Sequence, residues 1–127
     1  MKFLMTEHGF QTETQFGTLD ISAEDEFGFR PYQLMVSSIA VCSGGVLRKV
    51  LAKMRMPADD IAIEVKEVDR NPDEASRIER IHLHFSIKGD IADSKMPRVM
   101  ELVRKNCSMM RSVEGSIEIE ETYEIYN

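Results

Sequence analysis

Residues 30–47 read Arg30-Pro31-Tyr32-Gln33-Leu34-Met35-Val36-Ser37-Ser38-Ile39-Ala40-Val41-Cys42-Ser43-Gly44-Gly45-Val46-Leu47. Pro31 suits the first position of a helix, where its missing N–H satisfies nothing anyway. Leu34, Met35, Ile39, Val41, Cys42, Val46, Leu47, Val50, Leu51 and Met54 follow at helical spacing. The spacing predicts a helix from Pro31 to Met54, ~36 Å long at 1.5 Å per residue. Apolar residues cover most of the circumference in its first half, which predicts a largely buried helix. Its middle is built of small residues: Ser37, Ser38, Ala40, Ser43, Gly44 and Gly45. A helical glycine costs about 1 kcal/mol against alanine, and close approach of another backbone offsets that cost. The stretch therefore predicts a helix pair across a dimer interface. The other reading of Gly44-Gly45 is a kink or a helix end.

Downstream, Pro57 and Asp59-Asp60 break the helix. Ile61, Ile63 and Val65 then alternate with Ala62, Glu64 and Lys66, the pattern of a half-buried strand. Asn71-Pro72-Asp73-Glu74 signals a turn. Ile81, Leu83, Phe85 and Ile87 alternate with Arg80, His82, His84, Ser86 and Lys88 in a second strand, expected to pair antiparallel with the first across a long loop. Met96, Val99, Met100, Val103 and Cys107 form one stripe of a second helix over 94–106, and a weaker stretch, Ser108–Val113, leads to Gly115. Ile117, Ile119, Tyr123 and Ile125 alternate with Glu118, Glu120, Thr122 and Glu124 in a closing strand. Upstream, Met1–Gly28 holds one or two strand-like patches. The order predicts a single α+β domain over 1–127, with antiparallel strands covering one face of the helices.

Composition limits the function. The chain has 127 residues, with 43% apolar and 30% charged. It is long enough to bury a real core and too apolar for general disorder. Its formal net charge of −6, without a Lys/Arg cluster, argues against nucleic-acid binding. Its longest mostly apolar stretch, Tyr32–Leu47, falls below the ~18 residues of a membrane span, and no export signal opens the chain. The expected compartment is the reducing cytoplasm.

The two cysteines, Cys42 and Cys107, both lie on apolar helix stripes and are expected to point inward. Buried thiols either pack as small hydrophobes or meet as a redox pair, and spacing leaves both readings open. Arg30, at the mouth of the helix, is either a solvated loop arginine or a cation for a thiolate or an oxygen ligand. The positive end of a helix does not favour it, so a carboxylate from Glu24, Asp25 or Glu26 is expected beside it. His82 and His84 share one strand face but lack a third ligand for a metal; they read as solvent-facing. Glu118, Glu120, Glu121 and Glu124 read as a soluble strand surface or as protection of a sheet edge.

The run from Arg30 to Cys42 resembles the central helix of the OsmC/Ohr superfamily (osmotically inducible protein C-like, organic hydroperoxide resistance-like), in which a Pro, a following Leu and an Ala two residues before Cys open the helix. Asn106-Cys107-Ser108-Met109-Met110 resembles its second cysteine element, which usually reads Cys-Pro-Val. The resemblance covers nearly the whole chain. It implies an OsmC-like fold: antiparallel sheets wrapping two long central helices in an intertwined homodimer, with sites at the interface. It further implies thiol-dependent reduction of organic or lipid hydroperoxides. Cys42 would be the peroxidatic residue, Cys107 the resolving one, Arg30 the accompanying cation and an external dithiol the reductant, with no metal or other cofactor. The chain departs from catalytic members at Tyr32-Gln33, where they carry a Glu, and in setting Arg30 directly beside the Pro. The alternative is a non-catalytic OsmC-like module that binds a small apolar or acyl ligand in the interface cavity.

Overall fold

The computed structural model describes residues Met1–Asn127. They fall into two compact units, Met1–Ser37 and Ser38–Asn127. The first holds three short strands rather than the one or two expected: β1 (Leu4–Met5), β2 (Phe10–Glu13) and β3 (Thr18–Ile21), an antiparallel meander in the order β1-β2-β3. Gly9 permits this close packing, because a Cβ there would meet the Ile21 carbonyl oxygen. The buried Thr12 hydroxyl donates to the Lys2 carbonyl (2.7 Å). Phe10, Phe16, Phe27 and Phe29 remain exposed.

Helix α1 (Pro31–Lys53) starts in the first unit and continues in the second. Its start is fixed locally. Arg30 is the capping residue and Pro31 the first helical one. The Gln33 side chain reaches back to accept the Arg30 backbone N–H (3.1 Å), half of a capping box. The helix runs through Gly44-Gly45 without ending there, which removes the helix-end reading. At 23 residues and a mean hydropathy of 1.5 over its most apolar window, it is long and apolar enough to cross a bilayer by those two measures. The apolar run ending at Leu47 therefore understates it. Core helices share that property, and Ile39, Ser43, Leu47 and Leu51, at i, i+4, i+8 and i+12, are all fully buried. Each such leucine contributes about 2–3 kcal/mol by leaving water. The opposite face departs from the expected, largely buried helix: Met35 and Val41 are exposed, Val41 by 68%.

The second unit packs a three-stranded sheet with the rest of α1, α2 (Met96–Asn106) and α3 (Ser108–Val113). Strands β4 (Asp60–Asn71) and β5 (Arg77–Lys88) form an antiparallel hairpin. Their connection is short, a 3₁₀ turn over Pro72–Glu74 capped by the Asn71 side chain, rather than the long loop expected. The strands extend past their apolar alternation because charged residues pair across them: Arg80 bonds Glu67 (2.9 Å) and Asp69 (3.3 Å). On β5, Ile81, Leu83, Phe85 and Ile87 are fully buried, as their alternation predicts.

Strand β6 (Glu118–Tyr126) lies beside β5, but parallel to it. The expectation of wholly antiparallel strands fails here, and the sheet is mixed in the order β4-β5-β6. The reason is the connection. A strand that returns through helices, here α2 and α3, crosses over and re-enters in the same direction. Chain order thus sets this pairing, while side-chain alternation within β6 says nothing about its direction.

Candidate functional site

Cys107 sits at a break between two helices. Its backbone is extended (φ −83°, ψ 109°), so α2 stops there and α3 begins at Ser108. The Cys107 N–H donates to the Val103 carbonyl (3.0 Å) and closes α2; the Cys107 carbonyl accepts from Arg111 N–H (3.0 Å) and opens α3. The first N–H groups of a new helix have no partner within it. In this protein they turn to sulfur. The Met109 and Ser108 N–H groups and the Cys107 thiol favour the negative form of Cys42, which comes from the middle of α1. Its Sγ lies 3.6 Å from Ser108 Oγ.

The two thiols are therefore neighbours, both are free, and their environments differ. Cys42 is half-buried. The Met109 N–H, then the Ser108 hydroxyl and the Cys107 thiol, hold its pKa below the ordinary thiol value against the opposing effect of burial. Cys107 is fully buried, at 0% exposure. Burial pushes its pKa up to about 11; donation to the Cys42 sulfur and that sulfur's negative charge push the same way. One sulfur is thus readied as the thiolate, the nucleophilic form, while the other keeps its proton. Both cysteines were expected to point inward; this holds fully for Cys107 and partly for Cys42.

Arg30 belongs to the N-terminal unit. It has the expected carboxylate partner, Asp25 (3.8 Å), and its guanidinium lies over the Tyr32 ring (5.1 Å).

One residue of the presumed acidic surface is misplaced by that reading. The Glu121 side chain is only 3% exposed. It accepts from the Ser43 hydroxyl (3.0 Å), itself fully buried and next to Cys42 in the chain. The Arg104 guanidinium is 3.4 Å from Glu121 Oε1 but directs Nη2 to the Ile119 carbonyl (2.6 Å). Oε1 therefore receives charge attraction without a hydrogen bond. Burial raises the Glu121 pKa, opposed by Ser43 and Arg104. The signal was present in the sequence: Glu121 shares the strand parity of Ile119 and Tyr123, the inward face, and not that of Glu118, Glu120 and Glu124.

His82 and His84 are also less free than expected. His82 Nε2 (2.9 Å) and His84 Nδ1 (2.7 Å) both bond the Thr122 hydroxyl, and Glu124 faces His84 (3.4 Å). Glu124 has a lowered pKa because the Ser86 hydroxyl and His84 bond it. A separate groove of about 420 Å³ runs between α1 and α2, lined by Val46, Val50, Met54 and Leu102 with Lys49 and Lys53 at its edge.

The model of the OsmC-like protein family matches residues 23–122, a span that includes both cysteines. Among solved structures, the chain is similar to a hypothetical protein from Aquifex aeolicus, with 24% identity over 98% of this chain and 93% of that one and a TM-score of 0.85. It is similar to an OsmC-like protein from Mycoplasma pneumoniae, with 13% identity over 99% and 95% of the two chains and a TM-score of 0.81. The organic hydroperoxide resistance protein OhrB of Bacillus subtilis shares 14% identity over 98% of each chain, with a TM-score of 0.66. At these identities the likeness is one of fold. No curated protein matches the sequence. With α+β architecture, chain-long structural likeness and the family model in agreement, the chain belongs to the OsmC-like protein family.

Proposed function

We propose that the protein reduces organic or lipid hydroperoxides with Cys42 and Cys107 in the reducing cytoplasm, and that the whole chain acts as one OsmC-like domain within a homodimer. The observation that carries this reading is the contact of two free thiols from distant parts of the chain, one accessible and one buried. Cys42 thiolate attacks the terminal peroxide oxygen. An S–O bond forms, the O–O bond breaks, and the other oxygen leaves as an alcohol once protonated. Cys42 is then a sulfenic acid. The Cys107 sulfur attacks Cys42, an S–S bond forms, and water departs. Oxidation of Cys42 also removes the negative charge that helps keep Cys107 protonated, so the resolving thiol ionises more readily when it is needed. An external dithiol restores both thiols by exchange. Arg30 is proposed as the cation that accompanies this site.

The dimer reading is supported by apolar side chains left in water. Phe10 and Phe29 on the N-terminal unit, and Met35 and Val41 on α1, are exposed, and association with a second copy would take such side chains out of water. Incubation with cumene hydroperoxide tests the chemistry. Peroxide loss with one Cys42–Cys107 disulfide per chain is expected. Cys42→Ser abolishes turnover, and Cys107→Ser leaves Cys42 open to sulfinic oxidation. Unchanged peroxide with two free thiols refutes the reading.

The groove beside Val46, Val50 and Leu102 favours a second reading, a module that binds an acyl chain with its carboxylate toward Lys49 or Lys53. Native mass spectrometry showing a co-purified acyl ligand, together with inert thiols, selects it.

A further inference from the structure

The peroxide reaction moves a proton as well as electrons. It starts with a thiolate and ends with an alcohol, so a proton has to reach the leaving oxygen. The groups that act on the Cys42 sulfur are the Ser108 hydroxyl, 3.6 Å away, the N–H groups of Met109 and Ser108 and the Cys107 thiol. Backbone N–H groups stabilise negative sulfur but do not pass protons on. Cys107 is fully buried, away from the accessible side of Cys42 by which a substrate arrives. Ser108 is exposed, and its hydroxyl is placed to accept from the thiol or donate to the thiolate. Its position is held from below, because the Ser112 hydroxyl donates to the Ser108 carbonyl (2.7 Å). The resemblance usually puts Pro after the second cysteine, and Pro has neither a hydroxyl nor an N–H.

We propose that Ser108 is a catalytic residue, its hydroxyl giving the proton to the oxygen that leaves the peroxide. As the S–O bond forms and the O–O bond breaks, Ser108 Oγ passes its proton to the departing alkoxide and recovers one from water. Thiolate, hydroperoxide and one proton from water become sulfenic acid and alcohol, and the serine is restored. This deepens the hydroperoxide reading and rests on it.

The test is single-turnover oxidation of the fully reduced chain by cumene hydroperoxide in H₂O and D₂O. Rates are compared at equal thiolate occupancy, read from absorbance near 240 nm. Ser108→Ala is expected to slow oxidation by about 100-fold, the low end of general acid–base effects, and to abolish the solvent isotope effect. Ser108→Thr, which restores a hydroxyl, is expected to recover both. An alanine variant within twofold of wild type, or a slow one that threonine does not rescue, overturns the relay and leaves the peroxidase intact. A wild-type protein inert to hydroperoxides overturns the peroxidase reading and the relay with it.

Discussion

Gly45→Ala separates what one chain requires from what a pair of chains requires. Gly44 has a reason to be glycine inside the protomer, since a Cβ there would come within 2.3 Å of Ile63 Cδ1. Gly45 has none: it is exposed in the middle of α1, with nothing within 4 Å of a Cβ built on it. In an isolated protomer, alanine at 45 should stabilise the helix by about 1 kcal/mol, raising the melting temperature by roughly 3–5 °C for a domain of this size. If α1 packs on its copy in a partner chain, the outcome changes. An extra methyl in a close-packed contact costs about 1–3 kcal/mol, and a two-fold interface counts it twice. The helix-propensity gain is common to monomer and dimer and cancels from the dissociation constant. Dimerisation should then weaken by about 2–6 kcal/mol, at least about 30-fold in Kd. Sedimentation equilibrium over a range of concentrations, with melting curves of dilute protein, measures both quantities. An unchanged Kd with a higher melting temperature would refute the placement of this helix face against a second copy.

The remaining predictions concern the thiols, the buried carboxylate and the core. Alkylation followed by mass spectrometry should show Cys42 ionising below the usual thiol range and Cys107 only near pH 11, with Cys107 labelled slowly at neutral pH; equal labelling profiles would contradict the hydrogen-bond pattern described. Glu121 has a folded-state pKa raised above its ordinary 4.5, so the folded state holds more protons in that window, and stability is full below 4.5 and falls as pH rises through the folded value. Denaturant titrations of Glu121→Gln should lose this slope, and a slope identical to wild type would assign it elsewhere. Ser43→Ala removes the one hydrogen bond to that carboxylate and should cost about 1–3 kcal/mol at neutral pH, less at low pH. Leu47→Ala empties a fully buried site and should cost about 2–5 kcal/mol in the same assay.

Much of this was legible from local pattern. The alternation Ile81-Leu83-Phe85-Ile87 marks the buried face of β5, and the stripe through Val99 and Val103 marks α2. Pro31 with Gln33 two residues on marks the start of α1. The division at Cys107 was legible, with one helical stretch over 94–106 and another over Ser108–Val113, although no proline or glycine announces the extended backbone between them. What stayed invisible is that the Ser108 and Met109 N–H groups face the Cys42 sulfur, since that depends on where α3 packs. Glu121 was read by its charge when its strand parity pointed inward.

The sequence by itself determined the helices, most of the strands and the family resemblance, because these rest on periodicities of a few residues that any local segment carries. It also determined that two thiols exist and lie on apolar stripes. Only the tertiary structure decided that those thiols meet, that one is favoured as thiolate while the other holds its proton to about pH 11, and that β6 runs parallel to β5. These outcomes depend on where distant segments pack and on what their backbone donors face. Burial and hydrogen bonding, which shift a thiol's ionisation, belong to a place in the fold and not to a position in the chain.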